Sequence, residues 1–134
     1  MGSIRRLRGL LSQRTSCASG VLFIDGTEVP FNRATFGPRK SFSGNTVPAV
    51  PILADAFLAN ASQLCGAVAV VKRGAATFHE KARRVQQAGA IAVIILNDED
   101  CPTRMEAGHQ EAHGIIIPTI SVPSSVGSTL LRGV

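Results

Sequence analysis

The stretch from Gly66 to Asp98, GAVAVVKRGAATFHEKARRVQQAGAIAVIILND, decides the fold because it contains three successive elements and their boundaries. Two apolar runs, AVAVV and AIAVIIL, have the length of core strands and contain no polar residue. Between them, Thr77 and Glu80 form the T-x-x-E capping box that begins a helix, and Gly89 is a typical helix end. Strand, helix and strand of these lengths predict a βαβ unit with parallel strands buried on both faces.

The segments before this unit predict a hairpin followed by loops. VLFIDGTEVPF (Val21 to Phe31) reads as two strands joined by a tight turn at Asp25-Gly26, and Pro30 indicates that the second strand is an edge or ends there. Residues 32–50 are rich in Gly, Pro, Ser and Asn, which favours loops. VPILADAF, residues 50–57, is expected to form a short strand and a turn.

The segments after the unit predict a long loop, one more strand and a final helix. The polar run from Asp98 to Gly114 has 17 residues, which is long for a compact domain. IIIPTISVP (Ile115 to Pro123) is expected to be a strand, in which Pro118 marks a bulge or an edge. SSVGSTLL then predicts a short helix capped by Ser124 or Ser125. Together the segments predict a mixed α/β fold, a small open β-barrel or sandwich with a βαβ unit and flanking short helices.

The composition of the 134 residues favours one globular domain, 45% hydrophobic with a formal net charge of +5. No apolar stretch approaches the roughly 18 residues of a membrane span, so we expect no membrane insertion of this segment. Residues 1–20 contain no acidic residue and form a basic N-terminal segment, which reads as a fraying tail, a transit-like leader, or a short terminal helix or strand. We therefore place the domain at 21–134.

Charge alone does not predict nucleic-acid binding. The chain has no Trp and no Tyr, and its six Phe lie away from the Arg clusters, so no aromatic stacking platform is interleaved with basic residues. The chain also lacks the G-x-S-x-G, H-E-x-x-H, P-loop and G-x-G-x-x-G motifs. The prediction is a protein that is not an enzyme, with no cofactor and no metal.

Two sequence features and one general possibility leave alternatives open. The loop at Arg73-Gly74 precedes a helix, so its amides can hold an anion. His109 and His113 are four residues apart with Glu106 and Glu111 near, which allows a metal-dependent hydrolase as the alternative function. A structural or oligomerisation domain is the other alternative.

A set of residues in Ala34–Leu131 resembles the protease-associated (PA) domain family. That family shows a Gly-led apolar strand, Arg-Gly-x-Cys-x-Phe, a Lys-containing helix ending in Ala-Gly-Ala, a strand closing on Asn, and later an Ile-Pro strand and a Gly-Leu-Leu-type helix. The matching positions here are Gly66, Arg73, Gly74, Phe78, Lys81, Ala88, Gly89, Ala90, Asn97, Ile117, Pro118, Gly127 and Leu130.

The resemblance implies a non-catalytic module that binds a protein or peptide ligand. It implies a larger parent protein with a peptidase, receptor or ubiquitin-ligase region, and a secretory or endomembrane lumen or the extracellular space as location; the basic N-terminus leaves organelle targeting or the cytoplasm open. In sorting receptors of the family the Arg-Gly loop lies at the ligand-binding region, which points to Arg73, Gly74, Ala75 and Ala76. We add His79 because it is adjacent to that loop.

Two departures from the family pattern matter. Ala76 stands where the family usually carries Cys, so the disulfide that some members form there cannot form, and stability must come from packing. The family commonly continues into another strand after the last helix, and we expect either that the chain is a fragment or that the N-terminal hairpin replaces that strand. Asn60-Ala61-Ser62 is an N-glycosylation sequon.

Overall fold

The computed structural model describes residues 6–10, 20–107 and 112–131. The strands in these ranges are β1 (Arg6–Leu10), β2 (Gly20–Ile24), β3 (Thr27–Arg33), β4 (Ser43–Pro48), β5 (Val68–Lys72), β6 (Ala92–Leu96) and β7 (Thr119–Val122). The helices are α1 (Ala61–Leu64), α2 (Phe78–Gln87) and α3 (Gly127–Leu130), and a 3-10 turn, Ser124–Val126, leads into α3. The strands form a barrel in the order β1-β2-β3-β7-β6-β5-β4, which the pairing of β1 with β4 closes. The predicted mixed α/β fold class is confirmed.

The central strands β5 and β6 are buried on both of their faces, as their unbroken apolar sequences predict. In β5, Val68 and Val70 pack inside the barrel with residues of β2, β3 and β7. Ala69 and Val71 point to the other face and pack with Ala82 and the rest of the apolar stripe of α2. Because successive strand residues alternate between faces, one apolar strand contributes to both clusters. Each fully buried aliphatic side chain contributes about 1.5–3 kcal/mol before entropy is counted.

Helix α2 begins and ends where its sequence predicts. The amide of Glu80 donates to Thr77 Oγ1 at 3.3 Å, and the amide of Thr77 donates to Glu80 Oε2 at 3.3 Å, so the capping box is present. Gly89, at φ +96°, follows the last turn. The strands that α2 connects, β5 and β6, are parallel neighbours, which confirms the βαβ unit.

The N-terminal hairpin is also confirmed. β2 and β3 pair antiparallel around Asp25 and Gly26, whose φ angles are 50° and 84°. β3 continues past Pro30, but it pairs with β7 only at Asn32 and Arg33. Pro30, which has no amide proton to donate, therefore lies where β3 is paired on one side only.

Two predictions upstream of the βαβ unit are wrong. The expected loop at 32–50 contains β4, which pairs antiparallel with β1 and parallel with β5. Its sequence, SGNTVP, shows no apolar alternation, so its strand conformation depends on those two neighbours. The expected strand in residues 50–57 is instead a series of turns and bends, with Ala54 at φ 48°.

The C-terminal elements differ from the prediction at their boundaries. β7 begins at Thr119, so Pro118 precedes the strand, and the Pro118 carbonyl accepts a hydrogen bond from the Val93 amide at 3.0 Å. The final helical segment is present, but Pro123 precedes it, and neither Ser124 nor Ser125 caps it with a side chain.

The N-terminal segment contributes a strand to the barrel. β1 lies inside residues 1–20, and it pairs with β2 on one side and with β4 on the other. This pairing attaches residues 6–10 to the ring of strands, whereas the division of the chain at residue 20 stays a prediction. In the part of the chain that the structure describes, no helix is long and apolar enough to cross a membrane.

The sequon asparagine has a structural role in the turn region before α1. Asn60 Oδ1 accepts a hydrogen bond from the Val50 amide at 3.0 Å, and Asn60 Nδ2 donates to the Pro48 carbonyl at 2.8 Å. These bonds hold the end of β4 against the start of α1.

Candidate functional site

The loop from Arg73 to Ala76 connects the carboxyl end of β5 to the start of α2. Gly74 has φ 117° and Ala75 has φ 67°, and the Ala76 amide donates to the Gly74 carbonyl at 2.8 Å. An alanine with positive φ costs free energy, because its Cβ crowds the following carbonyl. Strain of this kind occurs preferentially at functional sites, where surrounding contacts hold the backbone in place.

The Arg73 side chain is held by residues that follow β6 in the chain. Its Nη1 donates to Asn97 Oδ1 at 2.8 Å and to Thr103 Oγ1 at 3.3 Å, and lies 3.5 Å from Asp98 Oδ1. The face of the guanidinium lies over the Phe78 ring, 5.6 Å from its centroid. Asn97 is buried, and its Nδ2 donates to the Cys101 carbonyl at 2.7 Å. The residue that binds Arg73 is therefore itself fixed in position.

The anchoring of Arg73 leaves one edge of the guanidinium for a ligand. All of the polar contacts above use Nη1, and within the described residues neither Nε nor Nη2 donates a hydrogen bond. The side chain of Arg73 is 38% exposed. An arginine presents a planar fork of N–H donors that fits a carboxylate with two parallel hydrogen bonds. Since these contacts already set its orientation, the Arg73 side chain has little rotamer freedom left to lose.

Lys81 supports the loop from below. It is fully buried, and its Nζ donates to the carbonyls of Leu53 and Gly74, the latter at 2.6 Å. Burial lowers the pKa of the Lys81 ammonium, against a smaller opposing effect of Asp55, and nearby Arg84 lowers it further. The Lys81 side chain reaches back past the start of its own helix, the direction in which helical side chains point.

The sequence analysis assigned Lys81 only to the family pattern and missed this role. The sequence spacing indicates that the Lys81 side chain is buried, because Lys81 lies three residues after Phe78 and four before Val85, on the apolar stripe of α2. A lysine on a buried stripe requires hydrogen-bond acceptors for its ammonium group. Arg84 also binds a backbone carbonyl of the segment before α1, since its Nη1 donates to the Ala54 carbonyl at 2.9 Å.

A cavity of about 290 Å³, the loop cavity, lies beside this loop. It is lined by Arg73, Gly74, Ala76, Thr77, Phe78, His79 and Glu106. The structure thus brings four of the five predicted site residues to one cavity, and Ala75 lies in the same loop without lining it. His79 is half-buried, with Nε2 3.4 Å from Thr77 Oγ1. Glu106, from the long polar loop, was predicted only as a neighbour of the alternative metal site, and the structure places it in the lining of the loop cavity.

The histidines of the alternative metal site are only partly covered by the structure. His109 and Glu111 lie outside the described residues. His113 is exposed, and its backbone carbonyl accepts a hydrogen bond from Arg83 Nη1 at 3.0 Å. Among the described residues, no three His, Cys, Asp or Glu side chains are grouped so that they could hold a metal ion. The metal-dependent hydrolase therefore stays an untested alternative.

The described cysteines make no disulfide. Cys65 and Cys101 are both exposed and unpaired, and Cys17 lies outside the described residues. Ala76, the position at which the family usually has Cys, is half-buried in the loop. The loop is therefore held by the side chains of Arg73 and Lys81.

The described strands form a closed barrel that contains a βαβ unit, which defines the chain as a mixed α/β domain. The family model of the PA domain matches residues 43–130, and the chain belongs to this family. The match contains β4, the βαβ unit, β7 and α3, and therefore the entire Arg73 loop.

Two curated proteins are similar to part of the chain. The signal peptide peptidase-like 3 of Oryza sativa subsp. japonica is 35% identical over 75 residues, which are 55% of this chain and 14% of that protein. The human ER degradation-enhancing alpha-mannosidase-like protein 3 is 33% identical over 84 residues, which are 58% of this chain and 9% of that protein. The chain thus corresponds to a small part of these larger proteins, whose names refer to peptidase and ER degradation functions.

Solved structures of two bacterial aminopeptidases contain the same fold. The aminopeptidase from Aneurinibacillus sp. strain AM-1 superposes with a TM-score of 0.63 and 18% identity, over 96% of this chain and 26% of that one. A zinc aminopeptidase from Bacillus subtilis gives a TM-score of 0.55 and 22% identity, over 98% of this chain and 30% of that one. In both, the likeness covers about a quarter to a third of the enzyme, and at this identity it shows the fold.

Proposed function

We propose that this chain is a non-catalytic, peptide-binding PA domain whose ligand contacts Arg73, Gly74, Ala75, Ala76 and His79. The observation that carries the proposal is the fixed Arg73 side chain at the rim of an open cavity. Four polar or charged side chains, a strained exposed loop and an aromatic ring converge there, which is typical of a recognition site.

The chemistry of Arg73 favours a carboxylate as the ligand group. The Nε and Nη2 edge can donate two parallel hydrogen bonds to a C-terminal carboxylate or to an Asp or Glu side chain. Contact with Phe78 and three oxygen partners at Nη1 hold that edge in place before the ligand arrives. A peptide that lies along the exposed Ala75 backbone gains further hydrogen bonds from the main chain.

The two curated relatives support a proposal for the larger protein that contains this domain and for its location in the cell. We propose that the domain is part of a larger protein with a peptidase or glycosidase-like region, and that it presents peptide or protein segments to that region. The ER wording in the name of one relative favours the secretory lumen as the location.

The experiment is a selection of random heptapeptides on phage against the immobilised domain, with an Arg73→Lys domain as the counter-selection. The expected result is enrichment of peptides with an acidic residue or a free C-terminal carboxylate. Their affinity for Arg73→Lys falls roughly tenfold or more, because lysine keeps the charge but loses the planar fork.

Arg73→Lys is a sharper variant than Arg73→Ala because of Asn97. Arg73→Ala removes every side-chain donor and leaves the buried Asn97 Oδ1 without its partner, which costs about 1–3 kcal/mol and mixes folding with binding, whereas Arg73→Lys keeps a cationic donor. Arg39→Lys, at an exposed arginine in the connection between β3 and β4, is the matched control and should keep full affinity. Peptides that bind wild-type and Arg73→Lys domains equally would contradict the assignment of Arg73, and a selection without enrichment would contradict peptide binding.

A further inference from the structure

A second cavity, the strand-end cavity, lies where the parallel strands β5 and β6 end, and its volume is about 510 Å³. Its polar lining consists of Lys72, Arg73, Asn97, Asp98, Ser124 and Ser128. In sheets with parallel strands, ligands bind preferentially at the carboxyl ends of the strands, because the connections diverge there and leave a crevice. Arg73 lines both this cavity and the loop cavity, so the two adjoin each other.

Hydrogen bonds between its elements fix the walls of the strand-end cavity. The Asn97 amide donates to the Val122 carbonyl at 2.9 Å, and the Ser124 amide donates to the Glu99 carbonyl at 2.9 Å. The first bond ties the end of β6 to the end of β7, and the second ties the following loop to the start of the final helical segment. The cavity is therefore present before a ligand binds, and a ligand would not have to order its walls.

The charges around the cavity favour an anionic group. Asp98 is paired with Arg73, at 3.5 Å, so these two lining charges offset each other. The exposed Lys72 side chain makes no hydrogen bond or ion pair with any other described residue, so among the described residues its positive charge is uncompensated. The hydroxyls of Ser124 and Ser128 add donors, and the neighbouring carboxylates of Glu99 and Asp100 do not line the cavity.

We propose that the strand-end cavity is a second subsite, which takes a carboxylate side chain of the peptide whose first carboxylate binds Arg73. This inference rests on the proposed function and names the ligand class more closely, as an extended peptide with two acidic groups. One peptide can occupy both cavities because they share Arg73. Lys72 is then the residue that distinguishes diacidic from monoacidic peptides.

The test uses synthetic peptides with blocked ends, so that only side chains carry charge. The probes are acetyl-Asp-Ala-Ala-Asp-Ala-amide, its two versions with one Asp replaced by Asn, and the version with both replaced. A second series with one, two or three alanines between the acids (roughly the 3.3 Å rise of an extended chain per residue) covers the separation of the cavities. Dissociation constants and amide chemical-shift changes are measured by NMR for wild type, Arg73→Lys, Lys72→Gln and Lys40→Gln.

The expected result is that one diacidic spacing binds wild type roughly tenfold more tightly than either monoacidic peptide. In Lys72→Gln this advantage disappears while the affinity for monoacidic peptides stays. Lys40→Gln removes the same charge from the loop before β4, at the opposite ends of the parallel strands, and should behave as wild type. Shifts at the amides of Ser124 and Ser128 should appear with the diacidic probe only.

The two proposals fail in different ways. If the monoacidic peptides bind and lose affinity in Arg73→Lys, but no diacidic spacing gains affinity through Lys72, the second subsite is wrong and the proposed function stands. If acidic peptides bind no better than the peptide with both Asp replaced by Asn, carboxylate recognition at Arg73 is wrong, and the second subsite is wrong with it.

Discussion

Two turns of this protein require the same unusual backbone, and they obtain it in different ways. The hairpin turn places Asp25 and Gly26 at φ 50° and 84°, and the Arg73 loop places Gly74 and Ala75 at φ 117° and 67°. The hairpin turn lies between paired strands, whose ladder continues to the residues directly flanking it. The loop has a strand on one side only, and side chains hold it from elsewhere. Backbone pairing makes the first turn rigid, whereas a buried lysine and an anchored arginine make the second one rigid.

This difference explains why an alanine can occupy a position that suits glycine. In the loop, Lys81 binds the Gly74 carbonyl, and the adjacent Arg73 is bound to Asn97 and Thr103. These contacts supply the free energy that keeps Ala75 in its strained conformation. Substitutions in each turn can test whether side chains support the Arg73 loop and backbone pairing supports the hairpin turn.

The largest effect is expected for Lys81→Met, which keeps the side-chain volume but removes the ammonium group. The carbonyls of Leu53 and Gly74 lose their donor, and the free energy of unfolding should fall by about 2–4 kcal/mol. Urea denaturation measures this loss. Hydrogen exchange should become faster at the Ala76 amide and stay unchanged in the β2–β3 hairpin. Equal acceleration in both turns would contradict their independence.

The pH dependence of the free energy of unfolding, compared between wild type and Lys81→Met, tests whether the pKa of Lys81 is lowered in the folded protein. Burial lowers its pKa in the folded protein below the ordinary value of 10.5, so the unfolded chain binds more protons between those two pKa values. The penalty for burying the charge is therefore fully present below the folded pKa and is lost as the pH rises toward 10.5. The free energy of unfolding of wild type, relative to Lys81→Met, should increase over that interval. A constant difference between the two proteins would show that the pKa is not lowered.

The second effect compares the two glycines. Gly74→Ala should lower the free energy of unfolding by about 2 kcal/mol, because φ 117° lies outside the left-handed region that alanine tolerates. Gly26→Ala should cost about 1 kcal/mol, since φ 84° is near that region and an added Cβ meets nothing within 4 Å. Thermal and urea unfolding provide both numbers. A larger loss of stability for Gly26→Ala than for Gly74→Ala would mean that the Arg73 loop adapts to the added Cβ more easily than the hairpin turn does.

The smallest effect is expected where strain is relieved. Ala75→Gly should raise the free energy of unfolding by about 0.5–1 kcal/mol, since glycine adopts φ 67° without steric cost but loses more entropy on folding. Asp25→Gly should change it little, because a short polar side chain tolerates the left-handed region well. The comparison is read from paired urea curves. A gain for Asp25→Gly as large as that for Ala75→Gly would show that Ala75 carries no special strain.

Much of the fold could be predicted from the sequence, but the candidate site at the Arg73 loop could be predicted only in part. The strands of the βαβ unit, the cap at Thr77 and Glu80, and the hairpin turn were predicted because each depends on residues close together in the chain. β4 was missed because its sequence, four polar or small residues followed by Val47 and Pro48, becomes a strand only between β1 and β5. The Arg73 loop was found through the family pattern, whereas Glu106 joins it only when the long polar loop folds back.

The sequence by itself determined the helix and strands around the Arg73 loop, because apolar periodicity, capping and glycine act over a few residues. The tertiary structure alone decided that β1 closes the barrel and that Lys81 and Arg73 hold the Arg73 loop in place. The Arg73 to Asn97 bond joins residues 24 apart, and the Lys81 to Leu53 bond joins residues 28 apart. Contacts over such separations depend on the whole packing of the chain, and they set the orientation of the arginine on which the proposed recognition rests.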